Sequence, residues 1–113
     1  MKTTLTLCTL CIVVLGGFAT EIRVRNDSNI DFKDVIVDGK KYGDIKRGAV
    51  TDYQTWNRAF RYSNVSLIVT NKPLRIQVED YVGETLLGEG HFTYVLNLNH
   101  GRLDIRAEKD TKK

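Results

Sequence analysis

Cysteine is scarce in this chain, and both of its cysteines, Cys8 and Cys11, lie in an apolar run near the N-terminus. The run extends from Leu5 to Phe18, follows a positively charged start and ends among small residues. This pattern is typical of a secretory signal peptide, which we predict over residues 1–19. Because export would remove both cysteines, we expect a mature domain without disulfides, a cysteine nucleophile or a thiolate metal site.

The same apolar run predicts where the protein is located. It is shorter than the roughly 20 residues that a membrane-spanning helix needs. A bacterial lipoprotein requires a cysteine just after small residues at the end of such a run, whereas leucines precede Cys8 and Cys11 and the apolar stretch continues past both. We therefore expect a periplasmic or secreted protein with no lipid anchor and no integral membrane span in its mature part.

A large excess of one charge is also missing. The chain has a net charge of +3, and its basic residues are interleaved with acidic ones along the whole mature part. The sequence has no basic stripe of the kind that neutralises phosphates, so we expect no nucleic-acid partner. Residues 109–113, which are rich in lysine, are predicted to form a disordered basic tail.

Motifs that carry catalysis or bind cofactors are missing as well. The serines fit no Gly-x-Ser-x-Gly elbow, and the glycines form no phosphate-binding loop. His91 and His100 have no second histidine or cysteine at ligand spacing. The sequence therefore predicts a protein that is not an enzyme and that holds no metal or cofactor.

The mature chain does contain apolar residues that recur with period two. Ile22 and Val24 alternate with arginines, and Phe92, Tyr94 and Leu96 make the clearest alternation. Short alternating segments between turn residues are typical of antiparallel strands with one buried face. We predict one domain over residues 20–108, an all-β antiparallel two-sheet β-sandwich of about seven strands with immunoglobulin-like or transthyretin-like topology. A small β-barrel is the alternative.

Turn residues indicate the connections between these strands. Asp38-Gly39 is a tight-hairpin signal, because both positions accept positive φ. Further turns are predicted at Asn71-Lys72-Pro73 and Asn99-His100-Gly101, and a loop is predicted from Tyr81 to Gly90. A long strand is predicted from Ala59 to Thr70, with a bulge near Ser63-Asn64 where the parity of the apolar residues changes.

The first candidate site is the stretch Asp80-Tyr81-Val82-Gly83-Glu84. Asp80 falls on the core-facing parity of the preceding strand, and a buried carboxylate would need a partner such as Arg61 or the hydroxyl of Tyr62. The favoured interpretation is that Asp80 accepts backbone N–H groups in a turn. A catalytic pair made of Asp80 and Glu84 is the alternative, and it requires both carboxylates to converge in a cleft.

The second candidate site is an aromatic-rich stretch that also carries arginines. It contains Tyr53, Trp56, Arg58, Phe60, Arg61 and Tyr62. Exposed aromatic rings beside arginines can stack on sugars or anchor a protein partner. Most aromatic side chains of a small sandwich lie in its core, and Trp56 is the binding candidate because it falls outside the alternation of the following strand.

Several strand-and-turn motifs follow one another along the mature chain. They are Ile22-Arg-Val-Arg-Asn26, Val35-Ile-Val-Asp-Gly39, Tyr42-Gly-Asp-Ile45, Thr51-Asp-Tyr53, Tyr62 and Thr93-Tyr-Val95. In this order they resemble exported bacterial β-sandwich domains of unknown function, which begin with Val-Arg-Val-x-Asn and continue with Val-x-Val-Asp-Gly. The resemblance implies a sandwich in a bacterial cell envelope and carries no catalytic or ligand-binding residues. The long loop from Tyr81 to Gly90 departs from the shortest versions of the pattern.

Three functions follow as expectations. The first is a non-catalytic interaction or envelope-structural domain that engages an extracellular or envelope protein through a strand edge or the loop around Tyr81 to Glu84. The second is a carbohydrate- or small-ligand-binding module built on Trp56 and neighbouring tyrosines, which predicts that Trp56 is exposed in a concave patch. The third is an enzyme that uses Asp80 and Glu84.

Overall fold

The computed structural model describes residues 19–111, and this part of the chain is built from β-strands and their connections. The strands are β1 (Thr20–Asn26), β2 (Phe32–Val37), β3 (Lys40–Ile45), β4 (Gln54–Trp56), β5 (Val65–Val69), β6 (Lys72–Ile76), β7 (Gly90–Asn99) and β8 (Arg102–Lys109). Residues 19–111 contain no helix long and apolar enough to cross a membrane. Apart from Ala19, the predicted signal peptide lies outside the described residues.

The strands form two four-stranded sheets, with orders β4-β1-β7-β8 and β3-β2-β5-β6. The all-β, two-sheet prediction is confirmed, with eight strands in place of about seven. One pairing differs from the antiparallel prediction, because β1 runs parallel to β7 with Thr20 opposite Gly90 and Asn26 opposite Leu96. The parallel pair arises because β2, the next strand along the chain, belongs to the other sheet and leaves the side of β1 open to β7.

Three two-residue turns connect consecutive strands. Asp38-Gly39 has φ values of 51° and 80°, and His100-Gly101 has 52° and 79°, so both predicted hairpins are present in the form that matches strand twist. The third turn is Thr70-Asn71, slightly earlier than the predicted Asn71-Lys72-Pro73. Pro73 lies within β6 opposite Ile68, which is tolerated because β6 is an edge strand.

The prediction of one long strand from Ala59 to Thr70 is wrong. The strand begins only at Val65, and residues 57–64 form an irregular connection between the two sheets. Ala59 and Ser63 are buried there, and Asn64 O accepts a hydrogen bond from Asp38 N at 2.9 Å. The change of apolar parity near Ser63 therefore marks the beginning of a strand and not a bulge inside one.

The core lies between the sheets and consists of the inward residues of the strands together with Ala59 of the 57–64 connection. It includes Ile22, Val24, Phe32, Val35, Val37, Ile45, Trp56, Ala59, Val65, Leu67, Phe92, Tyr94, Leu96 and Leu103. Burial of a side chain of this kind contributes about 1.5–3 kcal/mol. The period-two pattern thus gives both the strands and the face that each strand buries.

The C-terminal part of the domain extends further than the predicted boundary at residue 108. Lys109 pairs with Phe92 as the last residue of β8, and Asp110 N donates a hydrogen bond to His91 O at 2.9 Å. The Asp110 carboxylate also accepts a hydrogen bond from Thr93 Oγ1 at 2.7 Å. Lys109 and Asp110, which belong to the predicted disordered tail, are therefore part of the folded domain. The last two residues of the predicted tail lie outside the described residues.

Candidate binding surface at the loop end

Two connections lie against each other at one end of the sandwich. They are the 57–64 segment, between β4 and β5, and the 77–89 loop, between β6 and β7. Leu87 N donates a hydrogen bond to Ala59 O at 2.8 Å, and Thr20 Oγ1 donates one to Gly88 O at 2.6 Å. The 77–89 loop is therefore tied both to the 57–64 segment and to the start of β1.

Stacked aromatic rings join the same two connections. Tyr81 stacks on Phe60 with ring centroids 4.3 Å apart and planes 12° apart, and its centroid lies 5.7 Å from that of Tyr62. The guanidinium of Arg58 lies 5.7 Å from the centroid of the Phe60 ring. Stacked pairs contribute about 0.5–1.5 kcal/mol beyond the burial of their area, so Tyr81 holds the loop in place.

An ion pair reinforces the stack. Arg61 Nη2 lies 3.0 Å from Glu84 Oε1 and 3.2 Å from Oε2, and Arg61 Nε also donates to Oε1. The Glu84 side chain is 16% exposed, whereas that of Arg61 is 68% exposed. The forked geometry makes this pair stronger than an ordinary surface ion pair. Burial, and then the Glu84 carboxylate beside it, raise the pKa of Tyr62.

A tight turn lies between the stack and the ion pair. Glu84 N donates a hydrogen bond to Tyr81 O at 2.9 Å, and Gly83 has a φ of 84°, the conformation that glycine adopts at the third position of a type II turn. Asp80 is exposed, and its Oδ1 accepts a hydrogen bond from Val82 N at 3.2 Å. This agrees with the favoured interpretation of Asp80 as a turn-capping residue.

The turn presents apolar side chains to solvent. Val82 is 86% exposed and Leu86 is 47% exposed, and together with Val50 (43%) they are the exposed large hydrophobic residues of the part of the chain that the structure describes. Two of these three therefore lie in the 77–89 loop. Val82 lies within the predicted candidate stretch from Asp80 to Glu84, but neither Val82 nor Leu86 is a candidate residue from the sequence, although a valine just before a turn glycine is a detectable signal.

Trp56 lies in the core and not on the surface, which contradicts the expectation of an exposed aromatic patch. Its side chain is 3% exposed and packs edge-on against Tyr94, with ring centroids 5.6 Å apart. Trp56 Nε1 donates a hydrogen bond to Tyr42 Oη at 3.0 Å. Burial raises the pKa of Tyr42 to about 12. Trp56 is buried because β4 pairs with β1 and turns this residue, opposite Thr20, towards the other sheet.

A cleft of about 210 Å³ lies beside the aromatic stack. Its lining is Asp38, Trp56, Arg58, Ala59, Phe60, Tyr62, Ser63, Tyr81 and Tyr94. Tyr94 Oη donates a hydrogen bond to Phe60 O at 2.6 Å, and burial raises the pKa of Tyr94. Asp80 and Glu84 do not line this cleft, so the convergence that a catalytic carboxylate pair requires is not found there.

Tyr53 belongs to a separate cluster at the end of β8. Its hydroxyl donates a hydrogen bond to Asp110, its ring lies edge-on to His91 at 4.8 Å, and the Arg23 guanidinium lies 5.0 Å from its centroid. Burial and the hydrogen bond to Asp110 raise the pKa of Tyr53. Of the sequence-predicted site residues, the structure therefore brings together Arg61, Tyr81 and Glu84.

Residues 19–111 contain no group of three or more histidine, cysteine, aspartate or glutamate side chains arranged to hold a metal ion. No protein-family model matches the chain. No curated protein sequence matches it either.

Proposed function

We propose that this protein is an exported, non-catalytic binding domain that recognises another protein through the 77–89 loop. The observation that carries the proposal is the exposure of Val82 (86%) at the tip of a loop held by the Tyr81 stack and the Arg61–Glu84 ion pair. Export follows from the N-terminal pattern, and an envelope location follows from the resemblance to exported bacterial sandwich domains.

A loop that is already ordered favours binding, because its conformational entropy is lost during folding and not when the partner binds. Immobilising a flexible side chain on binding costs about 0.5–1.5 kcal/mol, and an ordered loop avoids much of that cost. Burying one exposed valine or leucine side chain then contributes roughly 1.5–3 kcal/mol. The partner is expected to offer an apolar pocket for Val82 and Leu86.

The arrangement of the carboxylates supports a binding function over an enzymatic one. Glu84 is engaged by Arg61, and Asp80 caps a turn in solvent. Paired-acid catalysis needs two carboxylates in a common cleft with pKa values tuned apart. Asp80 and Glu84 have different partners, so the proposal assigns them to the architecture of the loop.

The carbohydrate-binding alternative depends on Trp56 as an exposed ring. It needs an exposed tryptophan, whereas Trp56 is 3% exposed and its indole nitrogen is hydrogen-bonded to Tyr42. Of the other rings of the aromatic stretch, Phe60 and Tyr62 stack on Tyr81, and Tyr53 packs edge-on against His91. We therefore place recognition on Val82 and Leu86.

Affinity capture with charged variants tests the proposal. The tagged protein is captured from intact producing cells after mild crosslinking, and the recovered proteins are quantified by mass spectrometry. We expect one envelope or extracellular protein to be enriched with the wild-type chain and with Val50→Asp, and to be reduced at least about tenfold with Val82→Asp, since a charge in an apolar pocket costs well over 1.4 kcal/mol.

Val50→Asp is the matched control because Val50 is also an exposed valine but bridges Arg25, near the opposite end of β1. Equal recovery of the same protein by Val82→Asp and the wild-type chain would exclude the 77–89 loop as the recognition element. Trp56 fluorescence would verify that each variant is folded.

A further inference from the structure

The edge of β8 has properties that the other sheet edges lack. β8 is the last strand of the order β4-β1-β7-β8, so one side of it has no neighbour within its own sheet. It pairs with β7 in unbroken register over all eight of its residues. A long, regular edge strand is a template for pairing with another chain unless it is protected.

The other three edges of the described sheets carry such protection. β4 has only three residues, and the pairing of β3 with β2 is interrupted by register shifts. β6 contains Pro73, which cannot donate a ladder hydrogen bond. β8 has no proline, and its register with β7 has no shift. Among the edges of the described residues, β8 is therefore the one suited to pairing.

The backbone groups of alternate β8 residues point to the free side. A two-residue turn at His100-Gly101 makes Asn99 and Arg102 a hydrogen-bonded pair, so the even-numbered residues bond to β7. The hydrogen bond from Asp110 N to His91 O agrees with this phase. The odd-numbered residues therefore direct their N–H and C=O groups to the open edge.

The side chains of β8 divide between two faces. The odd-numbered residues Leu103, Ile105 and Ala107 pack on the core. The even-numbered residues lie on the outer face, and their charges alternate in sign. They are Arg102, Asp104, Arg106 and Glu108. These charges do not point into the sandwich, so they do not give β8 the protection that an inward-pointing charge gives an edge strand.

Alternating charges make this strand complementary to itself. When two copies of β8 pair antiparallel with Ile105 opposite Ile105 of a second copy, Arg102 faces Glu108 and Asp104 faces Arg106. Two-fold symmetry repeats each contact, so all four charged positions meet an opposite charge. These residues fall at non-hydrogen-bonded positions, where the Cα atoms are about 4.5 Å apart and side chains lie closest.

Neighbouring registers are not complementary. A shift of two residues in one direction places Arg106 opposite itself and Asp104 opposite Glu108. A shift in the other direction places Asp104 opposite itself and Arg102 opposite Arg106. Like charges directly opposite each other on a sheet are destabilising. The charge pattern therefore favours the register with Ile105 opposite Ile105 over both neighbouring registers.

We propose that β8 is a homodimerisation edge, at which a second copy of this chain pairs antiparallel to join the two β4-β1-β7-β8 sheets into one continuous sheet. The outward N–H and C=O groups of Leu103, Ile105 and Ala107 then bond to the second copy. The proposal is independent of the 77–89 loop, because that loop supplies none of these groups.

Sedimentation of charge variants tests the proposal. The chain is purified as its producing cell processes it, and its association is followed against concentration by analytical ultracentrifugation. We expect a reversible dimer. Asp104→Arg places like charges at two symmetric positions and raises the dimer Kd by at least about tenfold. Adding Arg106→Asp restores opposite charges only in the proposed register, so the double variant regains dimerisation.

Lys41→Glu is the matched control, since Lys41 is an exposed charge on the interrupted edge strand β3 and its reversal leaves the dimer unchanged. If Asp104→Arg did not fold, Arg106→Asp, which faces Asp104 of the second copy, makes the same test. A wild-type chain that stays monomeric at its highest soluble concentration would overturn the proposal. So would a dimer that is insensitive to the reversals, or one that the double variant fails to restore.

Discussion

Asn26 is a buried polar residue whose side chain joins two connections through hydrogen bonds. Its side chain is fully buried, and Nδ2 donates hydrogen bonds to Ile30 O at 2.8 Å and Ile45 O at 3.0 Å. Its Oδ1 accepts from Ser28 N at 2.9 Å. One amide thus fixes the connection after β1 and ties it to the end of β3.

Replacing Asn26 with alanine should therefore destabilise the domain strongly. We expect Asn26→Ala to lower the free energy of unfolding by roughly 2–3 kcal/mol, because it leaves buried carbonyl and N–H groups without partners. Denaturant unfolding followed by the fluorescence of Trp56 measures the change. Asn29→Ala removes an exposed asparagine of the same turn and should change stability by less than about 0.5 kcal/mol. Similar losses for both variants would contradict this role of Asn26.

Asp110 makes the stability of the domain depend on pH. Burial by itself would raise its pKa, but hydrogen bonds from Tyr53 and Thr93 and the charge of Arg23 lower the pKa below its ordinary value. A group whose pKa is lowered by folding stabilises the native state above its unfolded pKa, which is about 3.9 for aspartate. That stabilisation is lost as the pH falls below about 4 and through the folded pKa.

The Asp110→Asn variant isolates this contribution. At neutral pH we expect it to be less stable than the wild type by on the order of 1 kcal/mol, and the difference should shrink as the pH falls below about 4. Thermal or denaturant unfolding at a series of pH values measures it. Asp52→Asn, which removes an exposed carboxylate, should keep the wild-type profile. A deficit for Asp110→Asn that stayed constant down to low pH would refute the assignment.

Single residues were the hardest features to predict from sequence. Trp56 illustrates the reason, because its burial depends on the pairing of a three-residue strand with β1. The sequence predicts a disordered tail for Asp110, since nothing local indicates that Thr93 and Tyr53 bind its carboxylate. In both cases the deciding contacts join residues far apart in sequence.

The 77–89 loop is the element on which the proposed function depends. Its contacts with the 57–64 segment combine a ring stack, a forked ion pair and a backbone hydrogen bond from Leu87 N to Ala59 O. Disrupting one of them should loosen the loop before it unfolds the domain, because the Arg61 side chain is 68% exposed and even a forked ion pair at the surface contributes only about 1 kcal/mol to global stability.

We expect Arg61→Ala to speed hydrogen exchange of the Leu87 amide while the global free energy of unfolding falls by less than about 1 kcal/mol. Hydrogen exchange read by NMR measures both quantities. Arg47→Ala, at an exposed turn elsewhere, should leave the Leu87 amide unchanged. Unchanged protection of Leu87 in Arg61→Ala would mean that the ion pair does not hold the loop.

Elements with clear local signals were predicted well. The Asp38-Gly39 and His100-Gly101 turns have the residues that positive φ values require, and both are present. The strand predicted from Ala59 failed because Phe60 and Tyr62 have strand-like alternation yet stack on Tyr81, which comes from the 77–89 loop. Side-chain parity cannot distinguish packing in a sheet from packing on a loop.

At the scale of the whole molecule, the two-layer fold follows from composition and period-two alternation. The parallel pairing of β1 with β7 does not, because the sequence contains no signal for which distant strand an N-terminal strand joins. That pairing has a consequence for the 77–89 loop. It brings Thr20 to Gly88 and so anchors the C-terminal end of the 77–89 loop to the first strand.

The proposed function requires this loop to be the surface that contacts a partner protein. Site-specific photo-crosslinking in the producing cells tests it most directly, with a photoreactive amino acid placed at Val82 in one variant and at Val50 in a control. We expect one abundant adduct from position 82 and no such adduct from position 50, since the two valines lie towards opposite ends of β1. No adduct from position 82, or the same adduct from both positions, would contradict it.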